Sequence, residues 1–487
     1  MQSKRIAIFF IVSSLAGCAV GPDYKPVDVD TGAGWTQPGA AGTVTDADLA
    51  QWWRRFDDPT LDRLIETALM QNLDIREAAT RVAEVRALRD AAAGGHWPAA
   101  NVNGSVSRRR LSENGPFPVG QIPGYPRNQT VYDVGFDASW ELDVFGGTRR
   151  AVEAAGARLE AATEQVRAAK LSVAAETARV YLALRGAQHE RQALDAAVAA
   201  SRSSTDLVRR QFEAGEVPEA SLAQVEAALA SVETQLPVIE AQVRTAALSL
   251  GILLGELPES EVGLADTTAD FVTLAPLPVG ERADILRRRP DVRAAERQVA
   301  AATADVGVAT AELFPKIGIA ANGGFESLHT GNFFDSGSQN FSITPLISWR
   351  VFDGGRVRAQ IHASEAREQR AALAYEKTVK AALTDAERAL TRYNLGLSAL
   401  QHQETAIAAA RRNYGFATAR YKAGEISLLE LLDAEQGLRA AENAYAQTHT
   451  RAATDLVALF KALGGGWGSE EDGAGADAVA MSGSAGH

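Results

Sequence analysis

Apolar and polar side chains alternate along four short stretches of the chain, and this alternation predicts four β-strands. The predicted strands lie at about 98–111, 131–142, 315–326 and 340–351. Each has about ten residues, which is the length that a tilted strand needs to cross a bilayer. The pattern fits strands that lie between lipid and an aqueous lumen, and it fits equally a soluble sheet with one buried face.

A helical period follows each pair of predicted strands. It predicts two very long helices, at 148–212 and 356–421, each roughly 100 Å long if continuous at 1.5 Å per residue. A Gly-Gly pair precedes each of them. Gly186 and Gly396 lie near their middles, and we interpret them as sites of slight bends.

A returning helix is predicted after each long helix, beyond the glycines Gly215 and Gly424 that close the long helices. Apolar residues recur along both returning helices at spacings of three and four, as in the seam of a coiled coil. Pro237 lies inside the first returning helix, where we expect it to kink the helix.

The two halves of the chain are copies of each other. Trp140-Glu-Leu-Asp-Val-Phe-Gly-Gly recurs as Trp349-Arg-Val-Phe-Asp-Gly-Gly, and Phe212-Glu-Ala-Gly-Glu-Val recurs as Tyr421-Lys-Ala-Gly-Glu-Ile, both at an offset of 209 residues. Two earlier landmarks recur at an offset of 217, so the loop between the strands is longer in the first copy. We therefore expect a first repeat at 61–265, a linker at 266–280 and a second repeat at 281–467.

The N-terminus has the pattern of a bacterial lipoprotein signal. Lys4 and Arg5 precede an apolar stretch at 6–15, which is too short to span a bilayer because a span needs about 20 residues. Leu-Ala-Gly then precedes Cys18, the only cysteine, and this arrangement resembles a lipobox. The resemblance implies cleavage after a signal peptide at 1–17, with N-acyl and S-diacylglycerol groups on Cys18. The alternative is an incidental cysteine beside an ordinary cleavage site.

Composition narrows the classes of function. The formal charge of −12 argues against a nucleic-acid partner, which would need a basic face. A single cysteine and seven scattered histidines predict neither a disulfide framework nor a metal site, and the only cofactor expected is the covalent lipid. The sequence shows no arrangement of catalytic residues, so we do not expect an enzyme. No run of 18 consecutive apolar residues follows the signal, so we expect no membrane-spanning helix.

Four strands are too few to close a barrel around water. An open strand edge inside a bilayer leaves unpaired backbone groups, each costing several kcal/mol. If the strands cross a membrane, several copies must therefore share one barrel, and the residues alone permit two, three or four copies. Trp140 and Trp349 stand at equivalent strand ends, where we expect an aromatic girdle.

Five segments carry a family resemblance that extends from Cys18 to Trp467. They are Cys18-Ala-Val-Gly-Pro-Asp-Tyr-Lys-Pro, Trp52-Trp-Arg-Arg-Phe-Asp-Asp-Pro, Arg288-Arg-Pro-Asp-Val-Arg, Leu429-Glu-Leu-Leu-Asp-Ala-Glu and Leu459-Phe-Lys-Ala-Leu-Gly-Gly-Gly-Trp. Together they resemble the TolC-like outer-membrane efflux family, in its lipoprotein branch of OprM and NodT type. The resemblance implies a mixed α and transmembrane-β fold: a homotrimer whose 12-stranded β-barrel joins a 12-helix periplasmic tunnel. It also implies an equatorial region near 45–70, 255–285 and the C-terminal end.

The same resemblance implies the function and the partners. The chain would be the exit duct of a tripartite efflux pump in the outer membrane of a Gram-negative bacterium. It would passively conduct small molecules or drugs from an RND-type inner-membrane pump and a periplasmic adaptor. A lipid-anchored tether is expected at 18–60, and the tail at 468–487 is expected to be disordered. The alternatives are a type I protein-secretion duct and a lipid-anchored periplasmic coiled-coil scaffold.

The resemblance also implies roles for residues near the two helix turns. Leu429 and Asp433 match a constriction and an aspartate ring that form the periplasmic gate. Alternatively, Leu429 is an ordinary core residue and Asp433 a solvated charge. Further matches are tip residues with polar contacts, Arg420, Tyr421 and Lys422, and an adaptor-docking set, Phe212, Gly215, Tyr421 and Gly424. The alternative interpretation of the two glycines is a plain helix cap, which is compatible with docking.

Overall fold

The computed structural model describes residues 19–32, 34–37, 39, 45, 49–112 and 122–466. The predicted signal peptide, Cys18 and the tail at 468–487 lie outside the described residues. The chain forms two compact units. The strand unit comprises the described parts of Met1–Val27, Ala83–Ala161 and Ala295–Tyr375, and the helical unit comprises those of Asp28–Val82, Ala162–Ala294 and Glu376–His487.

Long helices alternate with pairs of strands, in the order that the duplication predicts. The elements are α1 (Pro59–Gln71), α2 (Leu73–Gly94), β1 (Ala99–Arg110), β2 (Asn128–Leu142), α3 (Gly147–Glu213), α4 (Glu219–Glu233), α5 (Leu236–Leu253), α6 (Asp284–Arg288), α7 (Pro290–Ala311), β3 (Lys316–Ser327), β4 (Gln339–Ser348), α8 (Arg356–Lys422) and α9 (Leu428–Ala462). One short 3₁₀ helix precedes α1, at Trp52–Phe56, and another follows α5, at Pro258–Asp266.

The strands form one antiparallel sheet in the order β1-β2-β3-β4. β1 pairs with β2 from Ala99↔Ser139 to Arg110↔Asn128, and β3 pairs with β4 from Lys316↔Ser348 to Phe325↔Gln339. The central pair, β2 and β3, joins the first repeat to the second, with Trp140 opposite Ile319.

The prediction for the last strand was wrong by three residues. It placed the strand at 340–351, whereas β4 ends at Ser348, so Trp349 lies one residue beyond it. The physical reason is the end of the partner strand. Lys316 is the first residue of β3 and pairs with Ser348. The residue before it, Pro315, has no backbone N–H to donate, so pairing stops there.

One residue, Pro237, accounts for a difference in continuity between the two returning helices. α9 runs without a break over 35 residues, whereas the equivalent 35-residue stretch, Glu219–Leu253, is divided into α4 and α5. Pro237 lies just inside α5, and its missing N–H leaves the carbonyl of Glu233 without a helical donor. Ala446 occupies the equivalent position in α9 and is buried. Where a kink was expected at Pro237, the structure has a break in the helix, between Glu233 and Leu236.

The long helices α3 and α8 each have 67 residues and continue through Gly186 and Gly396. Gly186 has a packing role, because a Cβ added to it would lie 2.6 Å from Cγ2 of Thr450 on α9. A Cβ added to Gly396 would lie at an ordinary 3.4 Å from Cβ of Ala452. Close approach of two helices therefore explains Gly186.

The chain around α1 packs against the C-terminal end of α9 in the helical unit. The Trp52 ring is fully buried and stacks on Phe460, with ring centroids 5.2 Å apart. The Gly466 N–H donates to the Leu49 carbonyl at 2.7 Å. Asp58 caps α1 by accepting from the Thr60 N–H at 2.9 Å, so this region has its own fixed structure.

One stretch of the described chain, Glu219–Leu253, is long and apolar enough to cross a membrane by length and composition alone. This finding limits the expectation that the chain has no membrane-spanning helix, which rested on runs of consecutive apolar residues. The stretch is broken between α4 and α5 and carries Glu226 and Glu233, which pair with Arg209 and Arg202 on α3. Val225, Ile239 and Leu250 are buried along it, as expected for the seam of a coiled coil.

Candidate functional site

One face of the sheet is polar and holds every carboxylate of the four strands: Asp133, Asp137, Glu141 and Glu326. Asp133 lies directly opposite Glu326 in the register of β2 and β3. Asn101 donates to Asp137 at 3.1 Å, and Asn103 also donates to Asp137. Hydrogen-bonded polar side chains suit a surface that faces water.

The opposite face is apolar and exposed. Val102 on β1 lies opposite Phe136 on β2, and Phe136 lies opposite Gly323 on β3. Phe341 on β4 continues this row. Val102 and Phe341 are 83% and 84% exposed, which is unusual for large apolar side chains in a sheet unless something covers them.

Within the described residues, neither outer edge of the sheet has a partner strand. β1 and β4 are the first and last strands of the sheet, and every residue in both is exposed. A long, exposed edge strand presents unpaired N–H and C=O groups that can pair with another chain. The sheet of one chain is thus an open fragment with two unpaired edges.

Two tryptophans make the same hydrogen bond in the two repeats. Trp140 Nε1 donates to the His96 carbonyl at 2.9 Å, and Trp349 Nε1 donates to the Leu313 carbonyl at 3.0 Å. His96 and Leu313 are themselves equivalent in the duplication. Both indole rings remain exposed beside the ends of the strands, so the rings are available to a surrounding phase.

A second aromatic cluster lies where β3 ends and the loop to β4 begins. The rings of Phe333 and Phe334 are 5.0 Å apart, and Phe334 is 5.5 Å from Phe325. The cluster could not be found in the sequence, because Phe325 is separated from the adjacent Phe333 and Phe334 and only the folded loop brings them together.

The first described residues lie against the ends of the strands. The Val20 N–H donates to the Phe145 carbonyl at 3.1 Å, just after β2. Arg150 on α3 donates to the Val20 carbonyl at 3.2 Å and pairs with Asp23 at 2.6 Å. The ring of Phe145 stacks on Phe314, which precedes β3. The residue that follows Cys18 is therefore next to the end of the sheet.

Tyr24 fixes the next part of this segment. Its hydroxyl donates to Glu296 on α7 at 2.9 Å. Burial and the neighbouring Glu296 raise the pKa of Tyr24, while Arg297 opposes the rise. The phenol therefore remains neutral and available as a donor.

The turns after α3 and α8 have the same backbone geometry. The Gly215 N–H donates to the Phe212 carbonyl at 2.9 Å, and the Glu216 N–H donates to the Gln211 carbonyl at 2.8 Å. The same two bonds recur around Gly424. Both glycines have a positive φ, 75° and 74°. These are Schellman caps, so the helix-cap interpretation of both glycines is confirmed.

Leu429 and Asp433 share one exposed face of α9. Leu429 is 62% exposed, so it is not a core residue in the single chain. The core face carries Leu431 and Ala434, which pack with Ala417 of α8. The motif Leu429-Glu-Leu-Leu-Asp-Ala-Glu therefore has two faces, and the proposed gate residues lie on the exposed one.

The other residues of the second turn have different surroundings. Arg420 pairs with Glu425 within the turn at 3.3 Å, and both are exposed. Tyr421 packs against the Ala417 cluster, whereas Lys422 is exposed. In the first turn, Phe212 is partly exposed.

Two ion pairs repeat across the duplication. Arg202 of α3 pairs with Glu233 of α4 at 2.8 Å, and Arg411 of α8 pairs with Glu442 of α9 at 3.1 Å. Both residues of the second pair lie 209 positions after those of the first. These pairs were not among the sequence predictions, although the repeat offset was a signal that could have found them.

The connection between the repeats crosses the helical unit in an extended conformation. Its Phe271 ring lies between His189 of α3 and His449 of α9, at centroid distances of 3.7 and 4.3 Å. His449 Nε2 lies 3.0 Å from the Val272 carbonyl and donates to it in the corresponding tautomer. Burial lowers the pKa of His449 to about 4, so this histidine is neutral at neutral pH.

The comparisons with known proteins agree over most of the chain. The sequence model of the outer membrane efflux protein family matches residues 64–256 and 282–465. The toluene efflux pump outer membrane protein TtgF of Pseudomonas putida is 31% identical over 478 residues, covering 96% of this chain and 98% of the relative.

Solved structures give the same result. The outer-membrane channel OprN has a TM-score of 0.83 and 35% identity, covering 92% of this chain and all of that one. The open state of the MtrE outer membrane channel of Neisseria gonorrhoeae has a TM-score of 0.81 and 28% identity, covering 92% and 99%.

The fold and these matches define the class of protein, an outer-membrane channel with a helical part and a β part. The chain belongs to the outer membrane efflux protein family. The family resemblance in the sequence is confirmed, and so is the function it implied, the outer-membrane channel of a tripartite efflux pump of Gram-negative bacteria. The family consists of transport proteins, and tripartite pumps imply adaptor and inner-membrane partners.

Proposed function

We propose that three copies of this chain form one exit duct, with twelve strands closing a barrel in the outer membrane and twelve helical segments forming a periplasmic tunnel. The observation that carries the proposal is the open sheet, with an apolar face and two unpaired edges. Lipid cannot satisfy an open edge, so β1 of one copy pairs with β4 of the next. The polar face with its carboxylates then lines the lumen.

Physical size favours three copies over two. Eight strands enclose an interior only wide enough for side chains to fill, which would leave no aqueous path. Twelve strands leave a lumen. Each chain also supplies four helical segments for the tunnel: the long helices α3 and α8, the returning helix α9, and α4 and α5 counted as one. The family resemblance favours three copies over four.

The number of copies can be tested on the purified chain in non-ionic detergent. Native mass spectrometry should give three times the protomer mass, and unheated samples should migrate as a trimer in gels and as a protomer after heating. A single copy in detergent, or a protein that washes off membranes, would reject the channel assembly. A single copy that stays with the membrane would favour the lipid-anchored scaffold, whereas release by washing would contradict the lipid anchor as well.

We infer that Cys18 carries the lipid anchor beside the barrel. Ala19 and Val20 lie beside Gly146 and Phe145, immediately after β2. Acyl chains on the preceding residue would then enter the inner leaflet next to the sheet. Trp140 and Trp349 support this position, because exposed indoles favour a membrane interface. Cys18→Ser should abolish incorporation of labelled palmitate, while Ser14→Ala should not change it.

Leu429 and Asp433 are proposed to form the gate on the tunnel axis. Their support is the exposed face that they share on α9, away from the Leu431 seam. Three aspartates brought together would repel each other and attract cations. Leu429→Ala with Asp433→Ala should raise single-channel conductance in planar bilayers, and Glu430→Ala on the neighbouring face should not. Unchanged conductance in the double variant would remove the gate role.

The two capped turns, with Phe212, Gly215, Tyr421 and Gly424, are proposed to dock the periplasmic adaptor. Arg420, Tyr421 and Lys422 would hold the neighbouring helices there through polar contacts. The support is their matched backbone geometry, which presents two similar surfaces per chain. A photo-crosslinking residue at position 212 should capture an adaptor protein in cells, identified by mass spectrometry, whereas one at exposed His402 should not. Capture from both positions, or from neither, would contradict docking at the turns.

The exported cargo is proposed to be small molecules or drugs, delivered by an RND-type inner-membrane pump. A type I secretion duct is the alternative. Reconstitution with each class of inner-membrane transporter distinguishes them, because only the matching transporter should raise export through the duct.

A further inference from the structure

Two arginines extend beyond the apolar face of the sheet at the end of β1. Arg108 and Arg110 alternate with Arg109, so they share a face with Val102 and Val106. The register places Arg108 opposite Thr130 and Arg110 opposite Asn128. Both arginines are exposed. An apolar strand surface therefore ends in two guanidinium groups two residues apart.

No carboxylate on this face neutralises the two arginines. All four carboxylates of the strands lie on the polar face, which is also the face of Arg109. β4, the strand that would pair with β1 in the closed barrel, contains no acidic residue. Neither Arg108 nor Arg110 forms an ion pair with a described residue, so both guanidinium groups can pair with an anionic group of a ligand.

The length of the sheet places these arginines at the far margin of the apolar band. Trp140 marks the margin near the helices, since its indole bonds to the segment just before β1. Thr130, opposite Arg108, is ten residues earlier on β2. At about 3.3 Å per residue and a tilt of about 40°, this is roughly 25 Å along the barrel axis, the height of the apolar band of such barrels.

The Phe325, Phe333 and Phe334 cluster supports an interface at this margin. Phe325 shares the apolar face with Val134, its partner on β2, and Phe334 is exposed in the adjoining loop. Aromatic girdles flank both sides of the apolar band in membrane barrels. With Trp140 and Trp349 at one margin and this cluster at the other, the arginines lie at the level of lipid head groups.

We propose that Arg108 and Arg110 bind the phosphate groups of phosphorylated lipids in the outer leaflet of the outer membrane. This inference rests on the proposed function, because the orientation of the sheet in the membrane assigns its far margin to the outer leaflet. Guanidinium groups bind phosphate through paired, charge-assisted hydrogen bonds. The acyl chains of the same lipid would lie along Val102, Val106 and Phe136, so one molecule meets both the charged and the apolar parts of this surface.

The test compares the two faces of the same strand. The full-length trimer in non-ionic detergent is titrated with diphosphorylated lipid A, and bound lipid is counted by native mass spectrometry. Arg108→Gln with Arg110→Gln should weaken binding by more than about tenfold, since each arginine near an anionic surface contributes about a fivefold factor in affinity. Arg109→Gln, the matched control on the polar face, should bind within about twofold of wild type.

A second probe separates phosphate recognition from general affinity for lipid. Dephosphorylated lipid A should bind to wild type more weakly than the diphosphorylated lipid does. Its affinity should be the same for wild type and the double variant. Equal loss in Arg109→Gln, unchanged binding in the double variant, or equal binding of both lipids to wild type would overturn the site. If the double glutamine variant does not assemble, Arg110→Gln alone replaces it, with Arg110→Lys expected to retain most of the binding.

The oligomeric state is recorded before lipid is added. A wild-type chain that stays a single copy overturns the proposed function and this inference with it. A stable trimer that binds lipid independently of Arg108 and Arg110 overturns only the lipid site.

Discussion

Gly186 and Gly396 are chemically identical residues in two equivalent helices, but their neighbours differ. The approach of Thr450 leaves no space for a side chain at Gly186, whereas the space beside Gly396 accepts a methyl group. A glycine inside a helix normally costs roughly 0.5–1 kcal/mol relative to alanine. The packing around each glycine therefore determines whether its replacement by alanine raises or lowers the free energy of unfolding.

The expected result is opposite at the two glycines. Gly186→Ala should lower the free energy of unfolding by about 1–3 kcal/mol through overpacking, and Thr450→Ala should recover part of the loss. Gly396→Ala should raise it by about 0.5–1 kcal/mol. Chemical denaturation followed by circular dichroism checks this. Equal effects of the two alanines would show that the close approach at Gly186 is unimportant.

His449 makes the stability of the helical unit depend on pH. Its pKa falls from about 6.5 in an unfolded chain to about 4 in the folded one because it is buried. Between these values the unfolded state binds a proton that the folded state does not, so stability is complete above about pH 6.5 and decreases as the pH falls. Burial also lowers the pKa of His189, opposed by Asp270, which adds in the same direction.

Thermal unfolding should therefore occur at lower temperature at pH 5 than at pH 7, and His449 alone should lower the free energy of unfolding by about 3 kcal/mol near pH 4. His449→Gln keeps a donor for the Val272 carbonyl and should flatten the pH dependence. His402→Gln, at an exposed position on α8, should leave the slope unchanged. A slope that persists in His449→Gln would assign the effect to other groups.

At the scale of elements, the returning helices show what one proline does. The two segments have equal length and equivalent ion pairs, Arg202 with Glu233 and Arg411 with Glu442. Only the first is interrupted, and it is the one that carries Pro237. The position of the break is thus a local consequence of the missing N–H.

Exchanging the two residues tests this assignment. Ala446→Pro should break α9 and lower the free energy of unfolding by about 3 kcal/mol or more, because it removes a hydrogen bond at a buried position. Pro237→Ala should join α4 to α5 and slow amide hydrogen exchange at residues 234–237. Exchange that stays fast in Pro237→Ala would mean that packing, and not the proline, maintains the break.

The elements themselves could be predicted from the sequence because their signals are local. Alternation located the four strands, and Gly-Gly pairs with Gly215 and Gly424 bounded the long helices close to their observed ends. Trp349 was placed inside a strand because alternation continues beyond the point where pairing stops. Other features depend on strand register or on packing, which no local sequence pattern contains. They are the pairing of Arg108 with Thr130, the Phe325 cluster and the close approach of Thr450 to Gly186.

For the whole molecule, the two faces of the sheet separate charge. In the proposed trimer, three copies of Asp133 and Glu326 face the lumen, together with Asp137 and Glu141. Arg109 lies on the same face and opposes them. An excess of carboxylates attracts cations into the path.

Removing lumen charge should change ion selectivity in planar bilayers. Asp133→Asn with Glu326→Gln should move the reversal potential in a KCl gradient toward zero, because cations lose an attraction. Arg109→Gln should shift it in the opposite direction. If neither variant changes the reversal potential, the polar face does not line the conducting path.

The duplication has a consequence for how this architecture arose. Each half contains a strand pair, a long helix and a returning helix, so a half-length ancestor would have needed six identical subunits to complete the proposed ring of twelve strands. Fusion of the two halves halves the number of subunits that must associate. It also released the two halves from sequence identity, so that one could acquire Pro237 and a longer hairpin loop while the other kept an unbroken helix and acquired the Leu429 and Asp433 surface.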